Sequence, residues 1–193
     1  MRIVLASESP RRAELLRAAG FEIETVAPGI EERRRAGEEP EAYVRRLAMA
    51  KALAVSAVEP DRPIVAADTV VLADSRVLEK PMDAIEAAAM LRLLSGRTHE
   101  VLTGVVVRFR ERHRDHVERT RVRVAELGEA EIAWYVRSGE PFDKAGAYAV
   151  QGLASRFIEA VDGSYSNVVG LPVAAVYRLL REVVGSDTLN VSD

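Results

Sequence analysis

Cysteine is absent from the chain, which excludes disulfides, thiolate zinc sites and cysteine nucleophiles. Long hydrophobic runs are missing as well, so no segment reaches the length of a membrane span. The opening apolar stretch from Ile3 to Ala6 meets polar Ser7, Glu8 and Ser9 at once and is too short for a signal peptide. A cytoplasmic protein with no membrane partner is therefore expected. An excess of positive charge is lacking too, with a formal charge of −3 and a pI near 5.8. That balance argues against a general nucleic-acid binder, and no stable nucleic-acid complex is expected. Internal repeats, low-complexity tracts and dividing linkers are likewise absent. What is present is a globular composition, 48% hydrophobic and 30% charged over 193 residues. Such a chain suffices for one domain, or for two lobes sharing a cleft, around a substantial core.

The pattern along the chain interleaves strands and helices. Ile3 to Ala6 reads as a buried strand, after which Ser9 offers an N-cap and Pro10 suits a first helical position. Leu15, Leu16 and Ala19 supply that helix with its apolar stripe before Gly20. Phe21 to Val26 resembles a second strand. Tyr43, Leu47, Ala50, Ala54 and Ala57 recur at spacings of three and four and so share one face of a further helix. Pro63 to Leu72 is apolar and β-branched apart from Asp68 and Thr69, with a turn at Asp74-Ser75. Asp83 followed by Glu86 starts a helix that Gly96 ends. Val101 to Phe109 and Val117 to Leu127 read as paired strands around a polar turn. Ala130 to Val136 and Pro172 to Val184 are the last helices, and residues 186–193 a frayed tail beyond a domain of residues 1–185. One long antiparallel hairpin among these elements predicts a mixed α/β sheet rather than a purely doubly wound one.

Five stretches carry candidate chemistry. Ser7-Glu8-Ser9-Pro10-Arg11-Arg12 sits where a strand enters a helix. Free backbone N–H groups and the helix dipole favour an anion there, and two hydroxyls and two arginines reinforce it. The alternative is an ordinary capped helix with exposed arginines. In Ala66-Ala67-Asp68-Thr69 a charge closes a buried apolar run, at the strand end where ligands of open α/β sheets gather. Asp68 is a candidate metal ligand or base, or else a turn aspartate. Glu79-Lys80-Pro81 sets opposite charges side by side before a helix, as a surface ion pair also would. From Asp143 to Gly152, Lys144 and Gln151 could meet a phosphate and a base edge, with glycines allowing close approach. Ser164 to Pro172 is a further polar loop entering a helix.

Two other patterns carry less. His113 and His116 have metal-like spacing but fall in a charged hairpin turn with no further ligand nearby. Arg108, Arg110, Arg112 and Arg114 alternate, as do Arg119, Arg121 and Arg123. A basic β-ribbon can touch nucleic acid. Here Glu111, Asp115 and Glu118 intervene and no aromatic platform accompanies the arginines, so a charged edge that resists aggregation is the expected role.

Taken in order, these stretches resemble the Maf family of nucleotide pyrophosphatases, a family also called septum formation inhibitors. The match runs from Leu5-Ala6-Ser7-Glu8-Ser9-Pro10-Arg11-Arg12 to Asn167-Val168-Val169-Gly170-Leu171-Pro172. Between them lie Gly29-Ile30-Glu31-Glu32, Lys51, Ala67-Asp68-Thr69, Glu79-Lys80-Pro81, Ser95-Gly96-Arg97-Thr98-His99 and the Asp143-to-Gly152 stretch. The resemblance implies a Maf or ITPase-like α/β fold, a single domain of two lobes whose mixed β-sheet is flanked by helices around a deep central cleft. It also implies a divalent metal, Mg²⁺ or Mn²⁺, and hydrolysis between the α and β phosphates of a nucleoside triphosphate. A homodimer is the association state it suggests.

The resemblance separates two branches. The branch acting on dTTP and UTP looks like this sequence at Ser-Pro-Arg-Arg, Ala-Asp-Thr and Gln-Gly. The branch acting on 7-methyl-GTP has an aromatic residue where Arg11 stands, Gln where Thr69 stands and Glu where Gln151 stands. The chain resembles the dTTP/UTP branch at all three positions, with modified pyrimidine nucleotides as a further substrate class. It departs at Gly29, where many relatives carry an acidic residue, which leaves Glu31 and Glu32 as the acidic pair. The implied roles are Asp68 as proton acceptor and metal ligand, with Glu32 a second metal ligand. Ser7, Ser9, Arg12, Lys51, Lys80 and Lys144 hold the phosphates, while Arg11, Thr69 and Gln151 select the base. The competing reading is a non-catalytic nucleotide- or nucleic-acid-binding regulator of cell division. It rests on the arginine ribbon, whereas the enzyme needs Asp68 and the cations around it.

Overall fold

Four consecutive buried residues make β1 (Ile3–Ala6), the signature of a strand covered on both faces. The computed structural model describes residues 2–185, and the expected tail at 186–193 lies outside them. β1 pairs in parallel with β2 (Ile23–Val26) and with β3 (Ile64–Ala73). Between the strands lie α1 (Pro10–Ala18) and α2 (Pro40–Ser56). A two-residue turn at Asp74 and Ser75, both at positive φ (46° and 63°), folds β3 back antiparallel onto β4 (Arg76–Leu78). Positive φ at both positions matches the right-handed twist of a hairpin. Then follow α3 (Ala84–Leu94), β5 (Thr98–Phe109), β6 (Arg112–Val124), α4 (Glu129–Arg137), β7 (Ile158–Asp162), α5 (Tyr165–Val169) and α6 (Val173–Val184). The strand order is β2-β1-β3-β5-β6-β7, with β4 on β3. Parallel and antiparallel pairings coexist, so the sheet is mixed as expected. No helix among the described residues is long and apolar enough to cross a membrane.

Several local expectations hold in detail. Ser9 takes the extended N-cap conformation and Pro10 opens α1. Asp83 caps α3 by accepting from the Glu86 N–H at 2.8 Å, a contact of the kind worth about 1 kcal/mol. Others are corrected. The buried face of α1 is Arg12, Ala13 and Leu16, with Ala19 exposed. The buried face of α2 is Tyr43, Val44, Leu47, Ala48, Lys51, Ala52 and Val55, rotated from the one the alanines suggest. β5 and β6 meet in a tight turn at Arg110 and Glu111, so His113 and His116 stand in β6 rather than in a turn. Nor is β6 an edge over its second half, because β7 pairs with it from Arg121 to Val124.

The chain divides into two compact units. Among the described residues, one comprises 2–68, Thr103–Glu118 and 170–185, the other Thr69–Leu102 and Arg119–Val169. In the first unit, strand alternation sorts the core into two faces. Ile3, Leu5, Val65, Ala67, Val105 and Val107 pack with Leu16 of α1 and with Val176, Leu179, Leu180 and Val183 of α6. Val4, Ala6, Ile64, Ala66 and Val106 pack with Ala48, Ala52 and Val55 of α2. Fully burying a side chain such as Leu16 stabilises by roughly 1.5–3 kcal/mol. Gly104 lets α2 approach closely, since a Cβ there would lie 2.5 Å from the Val44 carbonyl oxygen. The second unit has an aromatic cluster of Trp134, Tyr135 and Phe157. There the buried His99 meets the Tyr148 hydroxyl at 2.7 Å through Nε2, and burial pushes its pKa down to about 4.

Candidate active site

Asp68 is a carboxylate in the middle of a buried strand, not at its end. β1 stops at Ala6, opposite Ala66, while β3 runs on to Ala73. Asp68 therefore stands just past the carboxyl end of its neighbour, which is where ligands of such sheets gather. It is 6% exposed. An unpaired carboxylate so buried would cost several kcal/mol, and the fold supplies a partner. Lys51, on the buried face of α2, donates from Nζ to Asp68 Oδ1 at 2.6 Å. The same Nζ pairs with Glu32 Oε1 at 2.7 Å and reaches the Ala67 carbonyl at 3.5 Å. One ammonium thus bridges two carboxylates. Burial still raises the Asp68 pKa above the ordinary carboxylate range, against the pull of Lys51 and Arg12, and Glu32 adds to the rise.

The strand-to-helix junction completes this cluster. Arg12 is buried, with Nε donating to the Gly170 carbonyl and Nη1 to the Ala67 carbonyl, each at 2.8 Å. Nη1 also reaches Ser7 Oγ at 3.3 Å. Burial lowers the Arg12 pKa, while Asp68 and Glu32 raise it. Ser7 Oγ accepts from the Ser9 N–H at 3.1 Å, which sets the serines at the mouth of α1. Of the sequence-derived candidates, Ser7, Ser9, Arg12, Glu32, Lys51 and Asp68 are thus brought together in the first unit. Arg11 is half-buried on α1 beside them in sequence.

The other candidates belong to the second unit. Thr69 follows Asp68 directly on β3 and is half-buried. Lys80 is exposed, and the preceding Glu79 accepts the Gly146 N–H on its carbonyl at 3.1 Å. The Lys80 and Lys144 stretches are therefore adjacent. Lys144 turns onto its own loop, donating from Nζ to the Glu140 carbonyl at 2.7 Å and pairing with Asp143. Gln151 is exposed, and its carboxamide makes no hydrogen bond among the described residues. Two residues that sequence reasoning missed, Tyr135 and Glu140, hold the loop around it. Glu140 gives no sequence signal beyond standing before a proline.

The two discounted patterns are resolved by ion pairing. Arg119 and Arg121 pair with Glu100, Arg123 with Glu159, Arg108 with Glu111 and Arg114 with Glu182. Five of the seven ribbon arginines are thus paired with carboxylates, which weakens the basic field that the nucleic-acid reading rested on. His116 pairs through Nε2 with Glu118 at 3.0 Å.

Residues 2–183 match the family described as Maf-like protein. The chain belongs to the Maf family. Among its curated relatives, a dTTP/UTP pyrophosphatase of Koribacter versatilis is 50% identical over 181 residues, covering 94% of each chain. One of Salmonella typhimurium is 51% identical over 179 residues, 92% of this chain and 91% of that one. One of Vibrio cholerae is 47% identical over 182 residues, 94% and 97%. A solved structure of the Staphylococcus aureus Ham1 protein superposes with a TM-score of 0.53 at 12% identity, covering 94% of this chain and 99% of that one. At that identity the Ham1 likeness bears on the fold alone. The α/β arrangement expected of a Maf protein is the one observed.

Proposed function

We propose that the chain is a nucleoside triphosphate pyrophosphatase that hydrolyses dTTP and UTP to the monophosphate and pyrophosphate. The observation that carries this reading is the buried Asp68 carboxylate, ion-paired to Lys51, in a chain about half identical to relatives named for that activity. A water molecule attacks phosphorus, the bridging P–O bond between the α and β phosphates breaks, and Asp68 accepts the water's proton. Ser7, Ser9, Arg12, Lys51, Lys80 and Lys144 serve to bind the triphosphate. Charge-assisted bonds to phosphate contribute roughly 1.5–3 kcal/mol each. Because the Arg12 guanidinium is anchored by two carbonyls, it supplies a positive charge whose position does not have to be ordered on binding.

A divalent metal suits these residues. Asp68 and Glu32 already present oxygens to one cation, the Lys51 ammonium, and an all-oxygen donor set selects Mg²⁺ or Mn²⁺. Among the described residues no group of three or more His, Cys, Asp and Glu could hold an ion. A cation of this kind would need only one or two carboxylates from the protein. Such a metal would lower the pKa of water and offset charge growing on phosphate, which a carboxylate, a far weaker base than hydroxide, cannot do alone. The test is product analysis with dTTP, UTP and the purine triphosphates. Pyrophosphate and monophosphate are expected with Mg²⁺ or Mn²⁺, and no turnover after EDTA. Release of orthophosphate, or full activity after exhaustive chelation, would sink the reading.

Selectivity is assigned to Arg11, Thr69 and Gln151. Thymine and uracil offer a ring carbonyl beside an N–H, an edge that a carboxamide pairs with as donor and acceptor together. A Gln151 side chain without a partner of its own is available for that role. Leaving one group of the pair unsatisfied costs roughly 1–3 kcal/mol, about 5- to 150-fold. Gln151→Glu, which can only accept when ionised, is expected to lower kcat/KM for dTTP and UTP by that factor. Purine triphosphates should lose less. Identical rates and substrate ranking in the variant would remove Gln151 from base reading.

A further inference from the structure

We propose that Glu140 and Tyr135 are positioning residues for base selection, a strap that fixes the loop from which Gln151 projects. The inference rests on the reading of Gln151 given above and extends it to two residues that touch no substrate.

The loop has no regular secondary structure of its own to hold it rigid at Gln151. The backbone between the short 3-10 turns at Ala145–Ala147 and Leu153–Phe157 makes no strand. Its N–H groups are instead captured from one side. The Glu140 carboxylate accepts from the Leu153 N–H at Oε2 (2.9 Å) and from the Ala154 N–H at Oε1 (3.3 Å). Oε1 also accepts from the Tyr135 hydroxyl at 2.7 Å. That hydroxyl in turn accepts the Ala149 N–H at 3.2 Å. Gln151 is therefore bracketed, two residues before it by Tyr135 and two and three residues after it by Glu140. Gly152 seals the arrangement, because a Cβ there would lie 2.2 Å from Glu140 Oε2. Only glycine lets the chain run this close to the carboxylate.

The strap is anchored firmly. Tyr135 is fully buried, ring-packed against Phe157 and Trp134. Burial, with Glu140 beside it, pushes its hydroxyl pKa far up, so the phenol remains a donor at any physiological pH. The Glu140 backbone carbonyl holds Lys144 Nζ at 2.7 Å, so one residue orders both candidate side chains of the loop. Gln151 spends none of its own hydrogen bonds on the loop. A carboxamide that reads a base must be held in place by something else, and productive contacts tolerate errors of only about 0.5 Å.

Glu140→Gln tests this. One of its two acceptors becomes an NH₂ group facing backbone N–H donors, which loosens the bracket without removing bulk. The preference for dTTP and UTP over purine triphosphates, as a ratio of kcat/KM values, should narrow by roughly 10-fold. That is well below the ~10²-fold that a 1 Å misplacement can cost. Tyr135→Phe, which loses only the Ala149 and Glu140 contacts, should narrow it in the same direction and guards against a folding failure in the first variant. In a Gln151→Ala background, Glu140→Gln should leave the ratio unchanged, because the group it positions is gone. Melting temperatures are measured in parallel. A Glu140→Gln enzyme with the wild-type ratio, beside a Gln151→Ala enzyme that has lost its preference, overturns the strap and leaves the Gln151 reading intact. Equal loss on every nucleotide assigns Glu140 a purely structural role and also overturns it. Unchanged preference in Gln151→Ala overturns the Gln151 reading, and this inference with it.

Discussion

Asp68→Asn is expected to lower kcat by at least ~10²-fold, the lower range for loss of a general base, with little change in stability. Both halves follow from the burial of the carboxylate. The asparagine keeps the shape of the side chain but cannot accept a proton from water. Neutral, it also escapes the desolvation that raises the Asp68 pKa. Lys51 is not stranded by the change, since it retains Glu32 at 2.7 Å and a hydrogen bond to the amide oxygen remains open to it. Steady-state kinetics with dTTP and a thermal melt measure the two halves separately. Near-wild-type turnover in a folded Asp68→Asn protein would take Asp68 out of the mechanism.

Lys51→Met should be the most destabilising change at the site. Met has a similar length and is well suited to the apolar surroundings of α2, so little packing is lost. What is lost is the partner of a carboxylate whose side chain is 8% exposed. Breaking a buried pair from one side costs about 3–5 kcal/mol. Arg12 remains nearby as a second cation, so the lower end is expected, about 3 kcal/mol. For a chain of this size that is a fall in Tm of roughly 6–12 °C. The pH dependence gives a sharper check. A carboxyl whose folded pKa lies above its unfolded value binds protons more tightly in the folded state, so acidification favours folding. Removing Lys51 pushes the Asp68 pKa further up. The deficit of Lys51→Met should therefore be largest near neutral pH and shrink as pH falls toward the unfolded value near 3.8. Lys51→Met combined with Asp68→Asn should recover part of the loss at neutral pH. A deficit that persists undiminished in acid, or in the double variant, would show that the ion pair is not its source.

The two variants act on one ion pair through different partners, and so separate chemistry from stability. Asp68→Asn leaves the cation with other acceptors, while Lys51→Met leaves an anion in a poorly solvated place. The asymmetry comes from exposure, since Glu32 has a half-solvated side chain and Asp68 does not.

What the sequence determined by itself was local, or was written in an ordered series of motifs. Pro10 opens α1 because its fixed φ suits a first helical position, and Asp83 with Glu86 opens α3 because that cap involves neighbours three residues apart. The apolar run of β3, broken by Asp68, was legible because a charge in a buried strand violates its pattern. The motif series from Ser7 to Pro172 carries the resemblance to the Maf family by itself. Only the tertiary structure decided which face of α2 is buried. Alanines mark a helix face poorly, being small enough for either side, and Lys51 counts as polar until Asp68 is placed 2.6 Å away. The apolar run by itself puts Asp68 at a strand end, whereas pairing with β4 carries β3 on to Ala73. Pairing between β6 and β7, 36 residues apart at Arg123 and Glu159, likewise turned an expected edge into an interior strand. Tyr135 and Glu140 carry no sequence signal of their role beyond the proline that follows Glu140. That role lies in accepting hydrogen bonds from backbone N–H groups thirteen and fourteen positions away, and backbone N–H groups are the same in every sequence.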